Sequence, residues 1–558
     1  MSSQAAAVRP LLLSALRART PGPGLPHRPR RNLKVQATTE AGKLKSIDDL
    51  PGPSLSTTLY WLFVKGYADK SHLLQSVQKS LYGPIWRSRF GPFDIVNVAT
   101  PELIAQVIQQ EGGYPVRAEL PHWKEYRDLR GQAYGLHVDT GPQWYRIRSV
   151  LNPKMLKLRE VSAYAPVLQQ VVGDLLRRIE LLRSRSQDQA TVSDMAAELY
   201  KFGFEGTSSI LFETRLGCLQ EEIPQDTLRF IAATNDMLTL SETVVLLPRW
   251  SRSVLPFWKR FVQAWDDLYD VAQTLINRRF AEIEAEVCRG EPAEGLYLTY
   301  LLSSDKLTRA EVYISITELL LGGVDTTSNT LSWALYRLAR DRPAQDRLYS
   351  EVNSVCPGRR EPTIDNLSRM PYLKAVIKET LRLYPVVPGN GRFISENEVV
   401  VDNYWFPKKA GKQNQERHIG CDALFPSTAA KRITFIILSL QTQFHLCHYA
   451  ACHDEAEFVD AELFIPERWL RAGVPGSGCG RATPGFYQHH PYSFIPFGVG
   501  VRACVGKRVA EMEMHIALSR IMQHYEIQPE DGSPIVEPKT RTLLIPAKPI
   551  GLRFLPRA

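Results

Sequence analysis

The sequence predicts a mainly α-helical protein carrying small β-sheets. Three observations lead there. Apolar residues recur at the helical period over long stretches, as in Val167–Leu182, Trp265–Val287, Glu311–Ala339 and Arg508–Tyr525. Stretches of strand character are short: Ile95–Val98, Val399–Val401 and Thr542–Ile545. The composition, 44% apolar and 23% charged over 558 residues, is that of a globular chain able to bury a large interior. The same figures exclude a disordered chain, a collagen-like chain and a protein of many membrane spans.

The N-terminus differs from the rest. Residues 1–39 hold seven basic residues and no acid, so of the formal net charge of +9 only +2 belongs to the remaining 519 residues. A nearly neutral body carries no nucleic-acid footprint. An Arg-rich, acid-poor start with Leu11–Leu13 and Leu16 reads as a mitochondrial transit peptide. It is assigned to residues 1–45, with removal between about residues 30 and 45, leaving residues 46–558, which at that length make either two or three domains or one unusually large layered fold. A membrane span would need ~20 apolar residues, and no such run is present. The eight cysteines are scattered without a C-x-x-C pair, which fits a reducing compartment and no disulfide framework. Leu50-Pro51-Gly52-Pro53 opens the folded body.

Within 304–339, Thr308-Arg309-Ala310-Glu311 fits a capping box at the start of a helix that runs to about Arg340. Its middle, Gly322-Gly323-Val324-Asp325-Thr326-Thr327, is rich in poor helix formers. Two readings follow. Missing side chains let a ligand approach the backbone, or they make a notch for a crossing helix.

The strongest chemical signal is Phe497-Gly498-Val499-Gly500-Val501-Arg502-Ala503-Cys504-Val505-Gly506, just before a helical run. Three glycines admit a flat ligand close to the backbone. A helix start after Cys504, with Arg502 beside it, is expected to lower the thiol pKa and favour a thiolate ligand.

F-x-x-G-x-R-x-C-x-G resembles the haem-binding signature of the cytochrome P450 superfamily, matched in full from Phe497 to Gly506. Three further stretches resemble family motifs in the same order: Trp144–Arg148 (W-x-x-x-R), Gly322–Thr326 and Glu379–Arg382 (E-x-x-R). The resemblance covers about residues 50–558. It implies a P450 fold, with a long central helix over a buried haem b, and haem-thiolate monooxygenase activity using O2. Cys504 is then the axial ligand of the haem iron. Trp144, Arg148, Arg392, Phe497, Arg502 and Gly506 bind the cofactor, arginines suiting its carboxylates. Asp325 and Thr326 serve catalysis, Thr326 toward dioxygen and Asp325 in proton relay. Glu379, Arg382 and Arg468 form a structural ion-paired trio.

The transit-like start resembles the mitochondrial class, which implies an adrenodoxin-type ferredoxin as electron donor, docking on Lys374 and Lys378 with help from Lys507 and Arg508. Leu381–Pro388, Gly323–Leu331 and Val254–Arg260 resemble the sterol 26/27-hydroxylase and vitamin D hydroxylase group. Tyr114–Arg117 favours a sterol side-chain hydroxylase, whereas Pro388–Asn390 and Leu199–Gly203 are more similar to a 25-hydroxyvitamin D 1α-hydroxylase; a retinoid-oxidising relative is a third reading. A non-catalytic haem-binding protein is the alternative of another class. Leu246–Trp250 and Val254–Trp258, broken by basic residues, read either as a surface dipping into the inner mitochondrial membrane from the matrix side or as core packing.

The chain departs from the family pattern at Ala410–Gln441, an insertion read as a retained intron or gene-model error, which if present should bulge from a sheet edge. The nearby His445, Cys447, His448, Cys452 and His453 imitate a zinc site but are read as structural.

Overall fold

The computed structural model describes residues 44–90, 93–118, 120–289, 297–394, 398–407, 442–470 and 489–557. Residues 1–43 of the transit peptide and the insertion at 410–441 lie outside the described residues. The helices expected from periodicity form as Ala165–Arg185, Pro256–Cys288, Arg309–Arg340 and Lys507–His524, the second beginning nine residues earlier than its periodic stretch.

Arg309–Arg340 is the spine. Thr308 and Glu311 make the expected reciprocal cap, with Thr308 N–H donating to Glu311 Oε2 at 2.8 Å. The helix is buried on all sides along most of its 32 residues, which explains why its apolar pattern has no polar face. Met195–Leu211, Pro256–Cys288, Pro371–Leu383 and Lys507–His524 pack around it.

Its two glycines divide the two readings between them. A Cβ on Gly323 would lie 2.7 Å from Thr207 Oγ1 and 2.8 Å from Thr207 Cγ2, on Met195–Leu211. Gly203 of that helix answers in kind, its Cβ position lying 2.6 Å from Ser328 Oγ. These positions let the two helices cross closely. Gly322, one residue earlier, has no atom within 4 Å of its Cβ position and opens onto an internal cavity.

Among the described residues, four small sheets flank the helices. The largest is five-stranded, in the order Ile85–Phe90, Phe93–Val98, Gln443–Leu446, Asn390–Phe393 and Val116–Arg117. In it Arg117 pairs directly opposite Arg392. A hairpin of Pro538–Arg541 and Leu543–Pro546 turns at Thr542. The strands on either side of the insertion, Tyr404–Phe406 and Gln443–Leu446, each lie inside their sheets.

The Glu379 trio is assembled and is larger than expected. Arg382 grips both Glu379 oxygens at 2.9 and 2.7 Å, and Arg468 Nε donates to Oε1 at 3.0 Å. Trp469 Nε1 and the Ile465 amide add bonds of 2.9 and 3.0 Å. Arg382 also donates to the carbonyls of Cys452, Ala461 and Leu463. A buried carboxylate so fully satisfied fixes the segment before the cysteine turn against Pro371–Leu383.

Gly323→Ala should destabilise the protein by about 1–3 kcal/mol through overpacking, whereas Gly322→Ala should fold as stably as the parent. Thermal unfolding of the two variants checks this; equal melting of both would remove the distinction.

Candidate active site

The cysteine turn is set by two left-handed glycines, Gly498 at φ +66° and Gly500 at φ +71°, a conformation costly for residues bearing Cβ. Its backbone closes through Gly498 N–H to Ile495 O (2.8 Å), Ala503 N–H to Gly500 O (3.1 Å) and Cys504 N–H to Phe497 O (2.8 Å). Lys507 then begins its helix with Gly506 as the cap residue. The turn presents Cys504 to an internal cavity of about 620 Å³.

The cavity receives residues from all four motifs. Trp144, Arg148, Arg392, Phe497, Arg502 and Gly506 lie on its wall with Cys504, as do Asp325 and Thr326. Arg502 stacks over the Trp144 ring at 3.5 Å and donates to the carbonyls of Pro115, Leu136 and Asp139. Arg148 donates to Ala503 O at 2.6 Å and Asn152 Oδ1 at 2.6 Å. Arg392 is bonded to Glu111. Arg117, quoted in the sequence only as a family likeness, joins them, its Nη2 donating to Arg502 O at 2.6 Å. Four guanidiniums thus gather with one hydrogen-bonded carboxylate, Glu111, among the described residues, and Arg117 Nε has no partner. Burial, then the neighbouring arginines, lowers Arg117 to about 10 and Arg502 to about 9. Like charges directly opposite in a sheet are unfavourable alone, so this cluster suits a ligand carrying carboxylates.

The thiol itself corrects one expectation. Burial raises the Cys504 pKa, and the Gly506 amide, Arg117, Arg148 and Lys507 oppose that. Local motif chemistry reads the opposing groups but not the burial.

Thr326 is half-buried, and its hydroxyl donates to Gly322 O at 2.8 Å. Asp325 is buried and bonded to Tyr200 and Arg541. The remaining wall includes Leu238, Ser241, Val386, Thr542 and Leu543; Gln225–Leu246, which supplies the first two, carries no sequence motif. Glu513 was also missed. It lines the cavity at 1% exposure, and its Oε1 has no partner among the described residues. Burial raises its carboxyl from 4.5 to about 8.

The basic residues predicted for docking lie on two packed helices. Lys378 is exposed, with its ammonium 5.5 Å from the Trp469 ring centre. Lys374 is half-buried rather than on a fully exposed stripe and donates to Ser368 O at 2.8 Å. Arg508 is exposed and Lys507 half-buried, and both pair with Glu511. In the histidine–cysteine stretch, His453 stacks on Tyr449, and Cys452 Sγ donates to Ser493 O at 3.5 Å. The six cysteines among the described residues are all free.

A helical fold that holds one cysteine at a glycine turn, faced by buried arginines and a long helix bearing Asp and Thr, defines a haem-thiolate protein. The chain belongs to the cytochrome P450 family, matching it over residues 50–411 and 438–554. It is 40% identical to a protein named sterol 26-hydroxylase, mitochondrial, of Rattus norvegicus, over 92% of this chain and 90% of the relative. It is 39% identical to the 25-hydroxyvitamin D-1 alpha hydroxylase, mitochondrial, of Homo sapiens, over 92% and 93%. Identity to cytochrome P450 27C1 of Aquarana catesbeiana is 38%, over 92% and 88%. The family match leaves out residues 412–437, inside the stretch 410–441 that the sequence sets apart.

The chain is therefore an oxidoreductase of the P450 monooxygenase class, and its cofactor is haem b. The residues present fit that group. A thiol stands at one side of the cavity, and an incompletely partnered arginine cluster is ready for two carboxylates.

Cys504→Ser should fold but lose the carbon monoxide difference band of the reduced protein. An unchanged spectrum, with wild-type circular dichroism, would exclude Cys504 as the ligand.

Glu513 makes stability pH-dependent. The folded state keeps a proton that the unfolded chain releases above 4.5, so stability falls as pH rises from 4.5 to about 8. Glu513→Gln should flatten that decline, as read by denaturant unfolding across the window; an unaltered slope would show that Glu513 is not protonated in the fold.

Proposed function

We propose that this chain is a mitochondrial monooxygenase that hydroxylates a sterol side chain with O2 and electrons from an adrenodoxin-type ferredoxin. The observation that carries this reading is the cavity: a thiol and arginines at one side, a largely apolar wall elsewhere, and Thr326 with Asp325 on the helix across it. The likeness to the mitochondrial sterol 26-hydroxylase over nine-tenths of both chains supports the substrate class. A second reading, 25-hydroxyvitamin D 1α-hydroxylation, is supported by nearly equal identity to that human enzyme.

Cys504 would ligate the iron, and Arg117, Arg148, Arg392 and Arg502, with Trp144, would hold the carboxylates. Bound haem supplies the redox iron at which O2 is activated. The chain's own task is then to manage protons and exclude water. Monooxygenation consumes two protons per turnover and releases one oxygen atom as water. Thr326, facing the cavity, offers a hydroxyl whose own proton rests on Gly322 O, and Asp325 stands next to it as the group that exchanges protons with the interior. The apolar wall keeps bulk water from the reacting carbon.

Two exposed regions fit the remaining partners. Lys378, with Lys374, Lys507 and Arg508, would set the encounter rate of an acidic ferredoxin. Trp250 and Val254, 73% and 74% exposed beside Arg249, suit the interfacial zone of the inner membrane on the matrix side. Among the described residues no helix is long and apolar enough to cross a membrane.

Reconstitution with adrenodoxin and its reductase should convert cholesterol, and Thr326→Ala should cut product per electron about tenfold while raising peroxide release. Product from a vitamin D precursor or retinol alone would replace the sterol assignment, and full coupling in Thr326→Ala would defeat the relay.

A further inference from the structure

Asp325 is held by a polar cluster that no sequence motif contains. The carboxylate is 1% exposed. Its Oδ1 accepts from Arg541 Nη2 at 2.9 Å and from the Tyr200 hydroxyl. Asn329, one helical turn on, donates to Tyr200 Oη at 2.9 Å, and Arg541 Nη2 reaches the same oxygen at 3.2 Å. The other arm of the guanidinium is bonded to Asn235. Asp325 Oδ2 has no partner among the described residues.

Two elements therefore reach the carboxylate directly, and a third reaches it through Arg541. Tyr200 comes from Met195–Leu211, Asn235 from Gln225–Leu246 and Arg541 from the hairpin. The hairpin tip is itself clamped. Thr542 adopts φ +59°, a left-handed conformation that is costly for a β-branched residue. Its N–H donates to Glu242, and its hydroxyl donates to Leu238 O at 3.3 Å. Thr542 and Leu543 line the cavity, so the turn that forms cavity wall also delivers Arg541 to Asp325.

We infer that Tyr200 and Arg541 are positioning residues for Asp325, fixing one carboxylate oxygen and leaving the other as the proton-exchanging atom. The inference rests on the relay reading of Asp325 given above. A merely structural ion pair would not require the orphaned oxygen; a buried carboxylate kept for stability has both oxygens satisfied, as Glu379 does in this protein. The charged and titratable groups around Asp325 are Tyr200, Arg541 and, beyond Arg541, Glu242 on Gln225–Leu246. Burial raises the Asp325 carboxyl, and Arg541 and then Tyr200 pull it down. Removing the Arg541 charge must therefore raise it further.

The test uses the haem-loaded full chain and four variants: Arg541→Gln, Arg541→Lys, Tyr200→Phe and Asp325→Asn. Infrared difference titration of the resting protein reads the Asp325 carboxyl band, identified by its loss in Asp325→Asn. Turnover reads product per electron and KM. Arg541→Gln should raise the titration midpoint by about 1–3 pH units and lower product per electron about tenfold at unchanged KM. Arg541→Lys should restore most of both, and Tyr200→Phe should move both the same way but less. A wild-type midpoint and wild-type coupling in Arg541→Gln, with Asp325→Asn uncoupled, would overturn the positioning role and leave the relay intact. A raised KM with intact coupling would also overturn it, making Arg541 a wall of the substrate site. Full coupling in Asp325→Asn would overturn both.

Discussion

Four guanidiniums crowded beside one half-buried thiol set the terms for the rest of the molecule. Arg117 and Arg392 face each other across two strands, and Arg148 and Arg502 arrive from a helix and from the cysteine turn. Left to themselves these cations repel one another in a medium of low polarity. Carbonyl oxygens and Glu111 satisfy many of their protons but supply little negative charge. A dianionic ligand would resolve the conflict, and its binding would then be coupled to the fold. Whatever binds the native state alone stabilises it by mass action. The Glu379 cluster serves the same end from the other side, since it fixes the segment leading to the turn that carries Cys504.

How much of this was legible follows from the range of each interaction. The cysteine turn was legible because its glycines, its arginine and the helix after it are neighbours in sequence, and the left-handed angles at Gly498 and Gly500 are local demands. The helix cap at Thr308 and the i,i+3 pair Glu379–Arg382 are equally local. Arg117 was visible as part of a likeness but not as a cation of the cluster, because its role depends on strand register with Arg392. Trp469 on Glu379, and Tyr200 and Arg541 on Asp325, are contacts across 90, 125 and 216 residues, which periodicity cannot pair. The thiol pKa failed for a related reason: flanking charges can be read from a motif, whereas burial is a property of the whole fold.

The glycine pair shows that two competing readings of one motif need not exclude each other. Close packing and ligand approach were opposed in the sequence because either explains a missing side chain. On a helix, adjacent residues point about 100° apart. Gly323 therefore packs on Thr207 while Gly322 faces open space.

That angular logic extends along the helix and sets what a change of length there would do. Residues 322 and 326 share the face that borders the cavity, joined by the Thr326 hydroxyl bond to Gly322 O. Val324 and Ser328 share another, against Gly203. Asp325 and Asn329 share a third, where both meet Tyr200. About two turns of helix thus border the cavity, pack on Gly203 and meet Tyr200 at once, and each contact has two residues spaced i,i+4. Inserting or deleting one residue would rotate every later side chain by about 100°. It would point Thr326 into protein and present Asp325 to the wrong neighbours, while leaving the composition of the motif almost unaltered. The arrangement is therefore specified by phase along the helix as much as by residue identity.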